Sequence, residues 1–536
     1  MENNRVIAVL VDTASIQQYI FSGNRLKENL GGSHLVKTLI DSKSPLLDQA
    51  LQKVAPGHPG VDAWLNPTDK DRWVDGVMVG YVGGGNALLF FAGTSSTPTI
   101  TQAREFIKTL SRLLLIHAPG LKSAFGMTEF SLNEDKEIVD YQKSMRRLHD
   151  DLKANKRRFF PQTTVMKHGI TAECPNSDEA VEAGRKENEG SPDERLVSAV
   201  SKTRRDAASA SHTALCTQVA AQLGLDYTFP EELEQLGQQD TRSYIAVVHI
   251  DGNGVGQRFR NCKSLHDART LSQQVSDAGS QAFAKLTDDA VSIVKHADYR
   301  EQFVIKFPKT DDPAENAKLC LPFRPIILGG DDITFVCEGR LGIHLAERFI
   351  SFLEEKSAVD EAEKITSCAG VVIVNSKYPF AQAYAMAEAL CASAKKKSRD
   401  NGNASYLDVL VSSSGISGTL DEVRRRLYAV GNYSLAFGPY LIGPADVDES
   451  LIHLKRGMRN FREKWPTTKL LALREYLSEG RRADDIKDLA LSAAPLYEAY
   501  TQTRYHECVW DEKSPYFEMI ELLEFYPAFL LTEGLQ

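Results

Sequence analysis

Three acidic residues are placed where they could share a cation. Asp251 closes the apolar run Tyr244–Ile250, and Asp331 with Asp332 follows Gly329 and Gly330 in ILGGDDITFVCEG (Ile327–Gly339). Two apolar segments around a glycine-led turn predict a β-hairpin. Hard carboxylate oxygens on neighbouring strand ends suit Mg²⁺ or Mn²⁺, which keep waters and take further oxygens from substrate phosphates. Such carboxylates repel one another without a cation. Two ions there would activate a ribose 3′ hydroxyl and steady a leaving pyrophosphate, so the chemistry expected is in-line nucleotidyl transfer from a nucleoside triphosphate, with no covalent nucleophile. Gly329 and Gly330 are expected to tighten the hairpin turn and admit a nucleotide to the backbone. The amides of the segment Gly252, Asn253, Gly254, Val255, Gly256 open a helix and are expected to receive the triphosphate, with Lys395 reaching it as a point charge.

The elements that position these residues occur twice. Val6–Val11 ends in Asp12 as Tyr244–Ile250 ends in Asp251. YVGGGNALLFF (Tyr81–Phe91) then parallels the GGDD hairpin, with 71 positions from Asp12 to Gly83 and 78 from Asp251 to Gly329. SAFGMTEFSL (Ser123–Leu132) and SCAGVVIVN (Ser367–Asn375) supply a further strand to each copy. Each is followed by a helical stretch ending in basic residues, Lys153, Lys156, Arg157 and Arg158 in one and Lys395, Lys396, Lys397 and Arg399 in the other. A tandem duplication accounts for all of this. Each copy reads strand, helix, hairpin, helix, strand, helix. That order predicts a ferredoxin-like α+β sheet with helices on one face, the hairpin supplying its two central strands and placing its tip beside the end of the first. In the first copy Gly85 and Asn86 stand where Asp331 and Asp332 stand in the second, so it is expected to hold no catalytic metal. Gly31, Gly32 and Ser33 in GNRLKENLGGSHL (Gly23–Leu35) are read equally as a helix break or as a contact to an acceptor nucleotide.

At about 150 residues per domain, 536 residues predict three to four domains. The expected boundaries are a first ferredoxin-like domain at 1–167, a mostly helical linker at 168–240, a second ferredoxin-like domain with the acidic site at 241–412, and a helical C-terminal domain at 413–536. Composition is ordinary for a globular chain, 42% hydrophobic and 25% charged. The net charge of −9 means that any nucleic acid must be held by local basic patches. The eight cysteines form no CxxC pair, which suits a reducing cytoplasm. No stretch approaches the roughly 20 apolar residues of a membrane helix.

The chain resembles the large polymerase/cyclase subunit of type III CRISPR effector complexes, which has tandem palm domains. The stretches that carry the resemblance are QQYIFSGNRLKENLGGSHLV in the first palm and HIDGNGVG, LGGDDITF and AGVVIVNSKYPFAQAYAMAEALCASAKKKSR in the second, within roughly residues 6 to 410. The resemblance implies conversion of ATP to cyclic oligoadenylate, a second messenger of antiviral defence, when target RNA is bound. It implies that Asp251, Asp331 and Asp332 hold two Mg²⁺ or Mn²⁺ ions and that Lys395 contacts the triphosphate. Effector subunits and guide or target RNA are the partners it implies. Members of the family often begin with an HD nuclease domain, whereas this sequence starts at the first palm strand, so DNA cleavage is not expected. The family's zinc module usually shows CxxC pairs; only His168, Cys174, His212 and Cys216 fall in that region, and unrelated linker residues are the better reading. Related guanylate cyclases carry Asn eight positions after the metal aspartate, where Phe259 stands here, which favours adenine.

Two further readings compete. The chain could be a scaffold that docks CRISPR proteins and RNA around a silent or nucleotide-sensing palm, or a templated polymerase using the same metals. The residues leave open whether it acts free-standing, as a homo-oligomer or within a complex. The His149–Asp150 doublet lies in a helical stretch without companion ligands and is read as structural.

Overall fold

The computed structural model describes residues 5–531 apart from 42, 65–72, 135–136, 159–168, 178, 182–185, 188–194, 225, 237–242, 303–317, 358–363, 413–414, 416, 444–446 and 480–512. The chain divides into two compact units, one of Met1–Thr217 with Gly254–Gln274, the other of Gln218–Asn253 with Val275–Gln536.

The first unit is built on strands β1 (Arg5–Ala14), β2 (Val77–Gly83), β3 (Asn86–Phe91), β4 (Lys122–Leu132) and β5 (Ile138–Val139), in the antiparallel order β2-β3-β1-β4-β5. Its helices include α1 (Ile16–Phe21), α2 (Leu26–Leu39), α3 (Thr99–His117), α4 (Tyr141–Arg158), α5 (Ala199–Asp206), the part of α6 (Ala208–Leu223) up to Thr217, and α7 (Val255–Asn261). Adjacent strand residues point to opposite faces. Phe90 joins Leu148 and Leu152 of α4 in one buried cluster, while Phe91 packs on Phe106 of α3 with ring centroids 5.5 Å apart. The sheet is therefore covered on both faces.

The second unit repeats the plan with β6 (Tyr244–Gly252), β7 (Phe323–Leu328), β8 (Ile333–Glu338), β9 (Ser367–Asn375), β10 (Tyr406–Ser412) and β11 (Tyr440–Leu441), ordered β7-β8-β6-β9-β10-β11. In both sheets the hairpin supplies an edge strand and its neighbour, and the opening strand lies between the hairpin and the strand that follows it. This corrects the expectation of a central hairpin: the crossover after the hairpin returns the next strand to the far side of the opening strand, which encloses it. The expectation of helices on one face is also corrected. Helix α8 (Leu265–Lys295) places Phe283 against Phe323, and α9 (Gly342–Ser357) begins at Gly342 against Ala246 and Val371. Gly370, one residue from Val371 and so on the opposite face, lies against Ala387, Leu390 and Cys391 of α10 (Phe380–Asp400). The crossover helices share one face, and α10 seals the other.

The stretch expected as a separate linker is shared between the units, residues to Thr217 with the first and those from Gln218 with the second. In the first unit the fully buried Arg204 of α5 faces the fully buried Glu28 of α2 at 3.3 Å. Its guanidinium also donates to the Tyr19 carbonyl at 3.0 Å and to Ser22 Oγ at 2.6 Å, while Ser201 donates to the other Glu28 oxygen at 2.8 Å. Burying an ion pair costs desolvation that only such complete hydrogen bonding offsets. A Cβ on Gly31 would stand 1.6 Å from the Arg204 carbonyl oxygen, so glycine here lets α5 approach α2. The helix runs unbroken through Gly31, Gly32 and Ser33.

The C-terminal region contributes α11 (Leu420–Leu427), α12 (Leu451–Lys464), α13 (Thr467–Ser478) and α14 (Tyr516–Leu522) to the second unit. It is not helical throughout, because β11 extends the sheet beside β10. Arg424 donates to both oxygens of the buried Asp408 at 2.6 and 2.8 Å. Glu518 of α14 accepts from the Phe437 and Gly438 amides at 3.0 and 3.1 Å and from the Tyr440 hydroxyl.

Packing this close has measurable consequences. In Gly370→Ala the new Cβ would fall 1.9 Å from the Ala387 carbonyl oxygen; overpacking of this kind should lower the thermal midpoint by on the order of 5 °C or more, read by calorimetry. Burial pushes the Glu518 carboxyl up to about 6, against the opposing pull of its Tyr440 and Gly438 donors. A folded value above the unfolded one gives stability that is full below about pH 4.5 and lost as the pH rises through about 6. Relative to the wild type, Glu518→Gln should therefore gain roughly 2 kcal/mol between pH 4.5 and 6.5, measured as the difference between their denaturation curves.

Candidate active site

Strand register assembles the acidic residues of the second unit. Ile250 pairs with Ile333, so the next step along the antiparallel ladder sets Asp251 opposite Asp332, and the Gly252 amide donates to the Asp331 carbonyl at 3.1 Å. Asp251 also pairs with Cys368 and His249 with Gly370, so both side chains point to the face covered by α10. On that face Tyr384, Glu388, Cys391 and Lys395 recur at helical spacing along α10. Lys395 Nζ contacts Asp251 Oδ2 and donates to the Gly252 carbonyl at 3.1 Å.

The local field is strongly negative. Burial, then the charges of Asp251 and Asp331, push the Asp332 carboxyl up to about 8. Burial and Asp251 raise Asp331 as well, and burial raises Glu388. His249, buried beside Thr334 Oγ1 at 3.0 Å, is pushed down to about 4 by desolvation. Its imidazole is neutral near pH 7, so its 3.6 Å approach to Asp332 Oδ1 is not an ion pair. That buried oxygen accepts no hydrogen bond among the described residues.

These donors fit a hard divalent cation in chemistry: carboxylate oxygens, one buried and unbonded, with Asp331 and Asp332 raised by burial and then by like charge, and an ammonium already on Asp251. Among the described residues no three His, Cys, Asp or Glu side chains converge closely enough to form a ready ligand cluster.

Backbone donors are arranged differently from the triphosphate cradle expected. The Gly252 amide is taken by Asp331, the Asn253 amide by the Thr366 carbonyl at 2.8 Å, and the Gly329 amide by the Asp332 carbonyl at 2.8 Å. Asn253 spends its side chain on Thr366 Oγ1 and Ser398 Oγ, each at 3.1 Å. Gly254 adopts φ +71°, a left-handed conformation suited to glycine, and Val255 begins the seven-residue α7; both are counted with the first unit. Gly329 and Gly330 have no left-handed φ. A Cβ on Gly330 would meet Val275 of α8 at 2.7 Å, so this glycine admits a helix rather than standing open. In the first unit Gly32 is buried within α2 against Ile20 and Arg204, and Ser33 lies in the same helix.

The first unit holds a counterpart not anticipated from the sequence. Lys156 of α4 contacts Asp12, as Lys395 contacts Asp251. Both pairs span 144 positions, and each lysine is the sixteenth residue of its helix. Asp12 pairs with Asn86, matching the Asp251 to Asp332 register. The hairpin tips differ. Gly84 and Gly85, at φ +61° and +77°, close a two-residue turn after pairing that runs to Gly83 and Asn86, whereas in the second unit pairing stops at Leu328 and Ile333 and leaves Asp331 and Asp332 off the ladder. His249, Thr334 and Glu388 were not anticipated either; strand alternation from Asp251 and helical spacing from Lys395 are the signals that reach them. Of the zinc candidates, His168 lies outside the described residues, and His212 Nε2 is 3.5 Å from Cys216 Sγ on α6. His149 is exposed on α4.

Residues 244–403 match the family described as Cas10/Cmr2, second palm domain. No curated protein matches the sequence. Solved structures share the fold. Csm1 of T. onnurineus is 15% identical at a TM-score of 0.51, covering 97% of this chain and 69% of its own. A Csm1–Csm4 cassette in complex with cA3 is 14% identical at 0.51, covering 98% and 69%. Another, in complex with cA4, is 13% identical at 0.50, covering 100% and 70%. Residues 244–403 are thus similar to a Cas10 second palm, within an α+β protein of tandem palm architecture.

Because Asn253 braces Thr366 and Ser398, Asn253→Ala should lower the thermal midpoint by a few degrees, the loss of about 1–2 kcal/mol of hydrogen bonding. Its nucleotide affinity, measured by titration calorimetry, should change less than about twofold, whereas a phosphate contact would cost about tenfold.

Proposed function

We propose that the chain is a nucleotidyltransferase that joins ATP into cyclic oligoadenylates, acting in type III CRISPR antiviral defence in the cytoplasm. The observation that carries this reading is the register that sets Asp251 opposite Asp332 beside Asp331, on the face that α10 supplies with Lys395, within a segment matching the Cas10/Cmr2 second palm. Structures of the same fold in complex with cA3 and cA4 support the product class.

In the reaction, a ribose 3′ oxygen attacks the α-phosphorus of a second ATP. The new O–P bond forms as the bond to the β-phosphate oxygen breaks, pyrophosphate leaves, and the hydroxyl proton is lost. Asp251, Asp331 and Asp332 would hold the Mg²⁺ or Mn²⁺ ions, which when bound acidify the hydroxyl and neutralise the pyrophosphate. Lys395 is the cation at hand for the triphosphate once Asp251 is otherwise compensated. His249, neutral and hydrogen-bonded to Thr334, orients the hairpin face on which Asp332 stands. Among the described residues no helix is long and apolar enough to cross a membrane, and all seven described cysteines are free, as fits a reducing compartment.

The partners proposed are a Csm4-like subunit and guide or target RNA. A second reading, a scaffold with a nucleotide-sensing palm, is favoured by two observations: Lys395 already neutralises Asp251, and among the described residues no three ligands converge. Mass spectrometry of products from ATP with Mg²⁺ or Mn²⁺ separates the two. Asp331→Ala with Asp332→Ala should reduce product by about 100-fold or more. Product made equally by the double variant would overturn the enzyme reading, and ATP binding without product would leave the scaffold.

A further inference from the structure

Helix α4 carries a basic face that the nucleotidyl-transfer site does not use. Lys143, Arg146, Arg147, Lys153, Arg157 and Arg158 are all exposed, and none makes an ion pair among the described residues. At 100° per residue the six fall within about 140° of the helix circumference and extend about 22 Å along its axis. The opposite side of α4, with Met145, Leu148 and Leu152, is buried against the sheet, which fixes the basic side outward. In a chain of net charge −9, this clustering runs against the global balance.

The neighbouring α7 extends the surface. Gln142 of α4 donates to the Arg260 carbonyl at 3.0 Å, and among the described residues the Arg260 guanidinium is held by the uncharged Gln257. The preceding residue, Phe259, leaves 38% of its surface exposed, one of few large apolar side chains to do so among the described residues. Cations that follow a backbone beside an exposed ring suit single-stranded nucleic acid, whose unpaired bases can stack. Asp150 is the carboxylate inside the stripe. A phosphate would be repelled by it, but a ribose 2′ hydroxyl can donate to it, which distinguishes RNA from DNA.

We infer that the α4 face, with Arg260 and Phe259, is a binding surface for single-stranded RNA, gripping its phosphates through the basic stripe, stacking a base on Phe259 and sensing the 2′ hydroxyl through Asp150. The surface rests on the RNA partner proposed above and gives it a place on α4; the binding needs neither ATP nor product synthesis, so its failure would leave the nucleotidyl-transfer reading untouched.

The test is fluorescence anisotropy of the full chain, without nucleotide, against labelled 30-mers of RNA, DNA and duplex at several salt concentrations. RNA should bind best. Reversing Lys143, Arg147 and Arg157 to Glu should weaken it at least tenfold and flatten the slope of log affinity against log salt by about 2, near 0.7 for each phosphate no longer neutralised. Phe259→Ala should weaken it about tenfold with the slope unchanged. Asp150→Ala should narrow the preference for RNA over single-stranded DNA. The same charge change on α3, at Arg104, Lys108 and Arg112, is the control for net charge and should leave binding within about twofold. Equal loss in both triple variants, unchanged binding in the α4 variant with circular dichroism intact, tighter binding of duplex, or equal competition by polyglutamate would each overturn the assignment.

Discussion

Negative charge concentrated at one end of a buried sheet is the constraint on which the second unit turns. Burial raises the proton affinity of Asp331 and Asp332, and the nearby Asp251 charge raises it further. Such an arrangement folds only with compensation, and the chain supplies it from a single element. Helix α10 must lie close to β9 for Lys395 to reach Asp251, and the missing side chain of Gly370 makes that approach possible. A packing choice in mid-sheet thus sets the electrostatics at the strand ends.

The first unit shows what remains of this device when the hairpin acids are absent. Asp12 and Lys156 keep the spacing and the contact, while Gly85 and Asn86 replace the acidic pair. The pair therefore has a structural role independent of the acidic hairpin: it neutralises the exposed end of an enclosed strand with a cation from the covering helix. In the second unit the same pair has become part of a site, because the hairpin stops pairing one pair earlier and leaves Asp331 and Asp332 in a four-residue turn.

Connecting segments are held by buried charge as well. Arg204 and Glu28 fasten α5 onto the first unit, and Glu518 fastens α14 to the turn before β11. Isolated, each ion would be costly to bury; with its hydrogen bonds complete it locks one geometry. Neither anchor has a signature in the sequence, since Arg204 between Lys202 and Arg205 and Glu518 three residues before Glu521 look like surface residues.

The duplicated strands, the acidic hairpin and the helical C-terminal stretches were legible from residue order, because apolar periodicity and glycine-led turns are local consequences of backbone sterics and burial. Asp251, Asp331 and Asp332 could be singled out by the same logic. Which strand lies in the middle, which face α10 covers, and which amides are already spent were decided by tertiary packing. Those outcomes depend on non-local pairing: the Asn253 amide is taken because Thr366 is there, and Gly330 is closed off because Val275 is there. Sequence determines which groups are present and their local spacing; only the folded chain determines which of them still have a hydrogen bond or a charge left to give.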